Sequence, residues 1–129
     1  MISRLELKDF VVLIVNKLKE QGEEVVLQNP SADSIFPCRV VQTPLRQDKL
    51  SDDGIPVKQR YSIAIEHWAN KKYDVMAMAD STDVKLREFN FMRTNTLLDT
   101  FDDVTKKYRL VTIYEVNYNG LYNSFELIK

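Results

Sequence analysis

The side chains able to do chemistry are few and scattered. His67 is the only histidine in the chain. To act as a general base it needs an oriented nucleophile or carboxylate within hydrogen-bond reach. It stands in Tyr61-Ser-Ile-Ala-Ile-Glu-His-Trp68, a stretch that alternates as a strand does. Tyr61, Ile63, Ile65 and His67 fall on one face; Ser62, Ala64, Glu66 and Trp68 fall on the other. The adjacent carboxylate of Glu66 therefore points away, and a structural or surface histidine is expected. Cys38, the single cysteine, adjoins Arg39, a cation able to lower a thiol pKa. Successive strand residues point oppositely, so a small buried hydrophobe is the expected role, and one cysteine makes no intramolecular disulfide. Asp99, Asp102 and Asp103 have the hard oxygen ligands a cation prefers, but no Gly-containing loop of calcium-binding spacing surrounds them. They read as turn residues. The three glycines, Gly22, Gly54 and Gly120, stand alone, so no phosphate cradle forms. Tyr108, Tyr114 and Tyr118, with Lys106, Lys107 and Arg109, offer the stacking and charge that single-stranded nucleic acid needs. Alternation sends the tyrosines and Arg109 to opposite faces, and Asp102, Asp103 and Glu115 are interspersed. No catalytic, cofactor-binding or metal-ligating set emerges, so no enzyme is expected.

The elements that would position these residues are easier to read. Ser3-Arg-Leu-Glu6 has the form of a capping box, with Ile2 and Leu7 as its hydrophobic staple. Leu7, Phe10, Val11, Ile14 and Leu18 then make one apolar stripe, and Gly22 suits the C′ position. The polar face mixes Glu6, Asp9 and Glu20 with Lys8, Lys17 and Lys19, so this helix is expected to cover a sheet rather than a membrane. Glu23 to Leu27 reads as a short strand or connector, and Phe36 to Thr43 as a strand. Pro44 to Pro56 is polar, with Arg46, Asp48, Lys49, Asp52 and Asp53 ahead of Gly54. It reads as a long hairpin loop or an arm projecting from the sheet, either solvated and mobile or in contact with another protein. After the Tyr61–Trp68 strand, Asn70 is an N-cap candidate for a helix reaching about Asn90, striped by Val75, Met78, Ala79, Thr82, Leu86 and Phe89. Arg93 to Leu98 begins another strand, and Asp99 to Asp103 makes the turn. Tyr108 to Asn117 returns as the clearest strand of all. Asn119-Gly120 suits a type I′ turn, after which Leu121 to Ile128 folds back as an edge. The expected fold is α+β: a largely antiparallel sheet of four to five strands with two helices on one face, in the order α-β-β-α-β-β.

At 129 residues the chain is long enough for a single domain with one core. The net charge of −1 lacks the basic excess that phosphate binding exploits, so nucleic acid is not an expected partner. Arg4, Glu6, Lys8 and Asp9 interrupt any signal-peptide pattern, and Phe10 to Val15 is too short to span a bilayer. Neither a secretory leader nor a membrane is expected, and synthesis in the cytosol follows.

The segment Ile63-Ala-Ile-Glu-His-Trp-Ala-Asn70, then Met76-Ala-Met-Ala-Asp80, Leu86 and Phe91-Met-Arg-Thr94, resembles the tail terminator, or tail completion, proteins of long-tailed bacteriophages and prophages. Tyr108-Arg-Leu-Val-Thr-Ile-Tyr-Glu-Val116 and Tyr118-Asn-Gly-Leu-Tyr-Asn-Ser-Phe125 are similar to phage structural proteins of Gram-positive hosts. The likeness runs from about Phe36 to the C-terminus and rests on packing and turn residues. It implies a non-catalytic protein that needs no cofactor. Such a protein forms a ring, typically of six copies, on a completed tail tube, stops polymerisation of the major tail tube protein and presents a surface for head-neck joining. Its place would be the host cytoplasm during assembly and then the virion, at the head-tail junction. Expected partners are further copies of itself, the tube protein and a head-completion or neck protein. Arg46, Asp48, Lys49, Asp52 and Asp53, and the turn with Asp99, Asp102, Asp103 and Lys106, are the candidate interface residues. The competing readings are a head-completion or neck (head-tail connector) protein and, outside virion assembly, a ligand-binding or regulatory α+β domain.

Overall fold

The computed structural model describes residues 5–52 and 55–128; the side chains at 49–52, 55–57, 98 and 99 lie outside that description. In chain order the elements are α1 (Leu7–Lys19), β1 (Glu24–Val26), β2 (Cys38–Val41), β3 (Leu45–Asp52), β4 (Ile55–Ala69), α2 (Lys72–Arg87), β5 (Met92–Asp102), β6 (Lys107–Asn119) and β7 (Ser124–Glu126). The class is α+β, as expected, but the sheet has seven strands rather than four or five.

Two long strands frame the sheet. β4 and β6 pair antiparallel from Lys58↔Asn119 to Ala69↔Tyr108. Each is long enough to carry two partners end to end along its other side. β3 pairs with the first part of β4, up to Ser62, and β2 with the last part, Ile65 to Trp68. Likewise β5 takes Lys107 to Glu115 of β6, and β7 takes Asn117 to Asn119. β1 lies outside β2 and is the one parallel neighbour among the described strands.

The extra strands come from stretches with weak hydrophobic periodicity. Leu45 to Asp52, expected as a loop or arm, is a strand, and its partner β4 begins at Ile55. Its sequence, Leu-Arg-Gln-Asp-Lys-Leu-Ser-Asp, has no continuous apolar face, and the strand is seen in the pairing of its backbone with β4. β4 residues before Lys58 pair with β3 alone, so this hairpin outruns the sheet as a two-stranded arm.

The helix ends also shift. α1 begins at Leu7 with Glu6 itself as an extended N-cap making no side-chain cap bond, not as the N3 glutamate of a capping box. Ser3 and Ile2, the other half of that expectation, lie outside the described residues. At the other end Gly22 takes the left-handed conformation, φ +85°, but two residues past the C-cap Glu20 rather than at C′, and its N–H reaches Lys19 O at 3.0 Å. A β-carbon there would meet nothing within 4 Å. Gly22→Ala should therefore cost only its backbone strain, about 1 kcal/mol, read as a small drop in the urea midpoint. A drop above about 3 kcal/mol would mean a packing role the open surroundings do not supply. α2 is capped by Lys71, not Asn70, and ends at Arg87, three residues short of Asn90. Asn90 (φ +65°) instead turns the chain into β5.

The core lies between one face of the sheet and both helices. Phe10, Ile14 and Leu18 of α1 are fully buried against Tyr61, Ile63 and Ile65 of β4 and Tyr114 and Val116 of β6. Phe10 stacks on Tyr61 (ring centroids 4.4 Å) and on Phe91 (5.6 Å), with Phe125 edge-on at 6.1 Å. Leu86 of α2 joins this cluster, while Val75, Met78 and Ala79 pack with Ala69 and Leu110. Each such side chain contributes roughly 1.5–3 kcal/mol by leaving water. On the surface Lys17 bridges to Glu88 (2.6 Å) and Lys85 to Glu20 (3.2 Å), tying the two helices together.

Candidate functional site

His67 lies where the alternation puts it, on the helix-covered face of β4, and both ring nitrogens have partners. Nδ1 is 3.0 Å from Leu110 O, and Nε2 is 2.8 Å from Thr82 Oγ1. A carbonyl only accepts, so Nδ1 carries the proton and Nε2 accepts from the Thr82 hydroxyl. That hydroxyl also stands 3.0 Å from Met78 O, but it has one hydrogen, and the neutral ring requires it. Met78 O is served instead by Arg39 Nη2 at 3.1 Å. Arg39 Nε donates to Thr82 Oγ1 at 2.9 Å, and Nη1 meets Glu23 Oε1 at 2.7 Å. Burial, with the Arg39 and Arg93 charges adding to it against a backbone contact to Leu110, holds the imidazole pKa down at about 3.

A hydroxyl bonded to an imidazole that is oriented through its other nitrogen has the outline of a nucleophile–base pair. Here the outline is sealed: His67, Thr82 and Arg39 are all fully buried. The nearest cleft, about 310 Å³, touches Glu23, Arg39, Asp74, Met78 and Ser81, and neither His67 nor Thr82 lines it. The arrangement can satisfy buried polar groups and fix α2 to β2 and β4, and it gives a substrate no path to the hydroxyl.

Glu66 points to the opposite face, as the alternation requires, and is also buried. Gln42 Nε2 (2.6 Å), Trp68 Nε1 (2.9 Å) and Arg109 Nε (3.0 Å) all donate to it. Burial pushes its carboxyl up, but those hydrogen bonds together outweigh burial and hold the group below the ordinary glutamate range. Arg109 lies over the Trp68 ring at 5.8 Å. Arg109 and the tyrosines do project to opposite faces, and Tyr114 and Tyr118 are buried in the helix-side core. Tyr114 Oη donates to Asp83 Oδ1, which Arg93 Nε also reaches at 2.9 Å. A second contact, Arg93 Nη2 to Asp83 Oδ2 at 2.8 Å, is an ion pair whose angles fall short of a hydrogen bond. Cys38 is buried with Val40 and Trp68, and burial, with Glu24 and Glu66 nearby, pushes its thiol up to about 11. Arg39, its neighbour in sequence, points to the other face, where Thr82 and Glu23 hold it, and does not activate the thiol.

The candidate interface residues divide into two groups that the fold keeps apart. Arg46 is half-buried and Nη1 donates to Leu5 O at 3.1 Å, which ties β3 to the entry of α1. Asp48 is exposed and accepts from Gln59 Nε2 at 3.3 Å. Lys49 and Asp52 stand on β3, and Asp99 on β5, with side chains outside the described set; Asp53 lies outside it altogether. Asp99 and Asp102, expected in a turn, belong to β5, which runs on past a register shift between Leu97 and Thr100. The turn is residues 103–106. Asp102 closes it by accepting from Thr105 N (2.7 Å) and Thr105 Oγ1 (2.8 Å), which lowers its pKa. Asp103 and Lys106 are exposed, Lys106 at φ +60°. The arm of β3 and β4 leaves the sheet before Lys58, whereas turn 103–106 lies beyond Ala69. At about 3.3 Å per residue the arm and the turn are roughly 40 Å apart along the strands, whereas Arg46, opposite Tyr61, and Asp99, between Leu97 and Thr100 of β5, are separated by only about half of that.

Sequence reading missed the character of β5. Met92, Leu97 and Phe101 are each more than two-fifths exposed, and Val104, just past the strand, is 76% exposed. Among the described residues β5 pairs only with β6, so its outer edge is open along its length. The Asn119-Gly120 turn is also corrected: Asn119 pairs with Ser124 across a four-residue loop, 120–123, and Asn123 takes the positive φ of 51°. The fold-back strand itself forms, as β7. Among the described residues no three His, Cys, Asp or Glu side chains gather to hold a metal ion, and no helix is long and apolar enough to cross a membrane. No family model and no curated protein sequence matches the chain.

Proposed function

We propose that this chain is a non-catalytic assembly protein that caps a phage tail tube as a ring of its own copies, of which six is the expected number. On this reading it stops addition of the major tail tube protein and then presents a surface to a head-completion or neck protein. One structural observation carries the reading. A small sheet offers two different surfaces at opposite ends of its long central strand pair, a projecting two-stranded arm and a distant turn beside an open edge. Two unlike patches on one chain are what a closed head-to-tail ring uses. The resemblance around Ile63 to Phe91 supports the same assignment.

The test is to add the purified protein to growing tail tubes and view them by electron microscopy. Capping of one tube end and arrest of growth are expected. Reversing charge together at Arg46, Lys49, Asp52 and Asp53 should lower both ring mass and capping by tenfold or more, roughly, since like charges brought together across an interface cost several kcal/mol. Intact capping by that variant would remove the arm from the interface. Failure of the parent protein to bind tubes would overturn the function.

A further inference from the structure

We propose that copies of this chain join by strand addition: the outer edge of β5 in one copy receives the outer edge of β3 from the next, in antiparallel sense. This rests on the ring reading and names the contact within it. β5 and β3 are the two longest strands with one unpaired side among the described residues, eleven and eight residues long. They sit on opposite sides of the sheet and toward opposite ends of the β4–β6 pair, β3 beside β4 up to Ser62 and β5 beside β6 from Lys107 to Glu115. Long open edges invite pairing, and natural proteins usually blunt them with charge. On β5 the run Thr94-Asn-Thr-Leu-Leu98 has no charge, and Leu97 is nearly half exposed.

Charge selects the sense of pairing. β3 carries Arg46 next to its start and Asp52 at its end, while β5 carries Arg93, already paired with Asp83 of its own copy, next to its start and Asp99 and Asp102 toward its end. Antiparallel addition brings the basic end of each strand to the acidic end of the other; parallel addition sets like against like. Pairing β5 with β5 of another copy also balances charge, but it leaves every β3 edge bare. Pairing β5 with β3 covers both long edges of every copy and propagates head to tail, as a ring requires.

The test uses two single-cysteine additions in the full chain, Arg46→Cys and Asp99→Cys. Cys38 is buried and stays as an internal control. Mild oxidation of an equimolar mixture, alone and on tail tubes, should give a covalent dimer that neither variant gives by itself. In parallel, Arg46→Glu or Asp99→Arg should weaken self-association roughly tenfold, and the double variant should restore most of it. A third variant, Thr96→Cys, sits at the centre about which an antiparallel β5 pair is symmetric, and a dimer formed by it alone would mean β5 on β5 and overturn the proposal. Rings of full mass with no cross-link in the mixture, and no rescue in the double variant, would overturn it while leaving the ring reading intact. A chain that stays monomeric both in solution and on tubes would remove both.

Discussion

Phe10→Ala should destabilise the fold by about 3–5 kcal/mol, the range for emptying an aromatic site in a packed core. Phe10 is fully buried, stacks on Tyr61 and Phe91 and meets the edge of Phe125. Those rings come from β4, the residue just before β5, and β7, so one side chain joins α1 to three separate parts of the chain. Ala at this position loses the transfer energy of the ring and leaves a hole walled by rigid aromatics, which collapse poorly. A domain of this size has about 5–15 kcal/mol in total, so the variant should sit near its unfolding midpoint at moderate urea. Phe10→Leu keeps most of the volume and should lose about 1.5 kcal/mol or less. Urea titrations of the three proteins decide the matter. A loss below about 1 kcal/mol for Phe10→Ala would mean that α1 does not depend on this stack.

How far such features were legible in the sequence depended on whether burial or backbone pairing made them. Phe10, Ile14 and Leu18 recur at helical spacing, and all three are buried where the stripe says. Tyr61, Ile63, Ile65 and His67 alternate, and all four face the helices. Val75, Met78, Ala79, Thr82 and Leu86 do the same on α2. In each case the signal and the cause are the same quantity, apolar area on one side. β3 failed that test because it pairs with β4 through its main chain and shows no continuous apolar face to read. Asp99 and Asp102 read as turn residues because aspartates prefer turns, yet the edge strand runs through them, and only Asp102 acts on the turn that follows. Helix starts were misplaced for a similar reason. Neither Glu6 nor Lys71 makes a side-chain cap bond, so the residues that look like caps do not decide where the helices begin.

The polar interior shows the other limit. Alternation correctly separated His67 from Glu66, but the partner of His67 is Thr82, fifteen residues away on α2, with Arg39 on β2 completing the set. Thr82 reads in sequence as one more member of an apolar stripe. Its hydroxyl becomes meaningful only when α2 is laid across β2 and β4. Sequence could place each of these groups on a face, and long-range packing decided which of them met.

That packing sets the acid sensitivity of the fold. The His67 pKa falls from an ordinary value of 6.5 to about 3 in the folded chain, because burial disfavours the imidazolium. Between those values the unfolded chain binds the proton and the folded one does not, so stability rises with pH across that window and is lost as pH falls. The contribution is fully present above about pH 6.5. It should decline by about 2 kcal/mol between pH 7 and pH 5 and continue to fall toward pH 3. Glu66, held below its ordinary pKa, acts in the same direction but only below the usual glutamate range, so it does not disturb the pH 5–7 interval. Unfolding free energies from urea titrations at pH 7, 6 and 5 should show that slope, and His67→Gln should be weaker at pH 7 but nearly flat across the same interval. Equal slopes in the two proteins would mean that His67 is not the titrating group, and an imidazole titrating near pH 6.5 in the folded state by NMR would mean that the Arg39–Thr82–His67 chain does not hold the ring neutral.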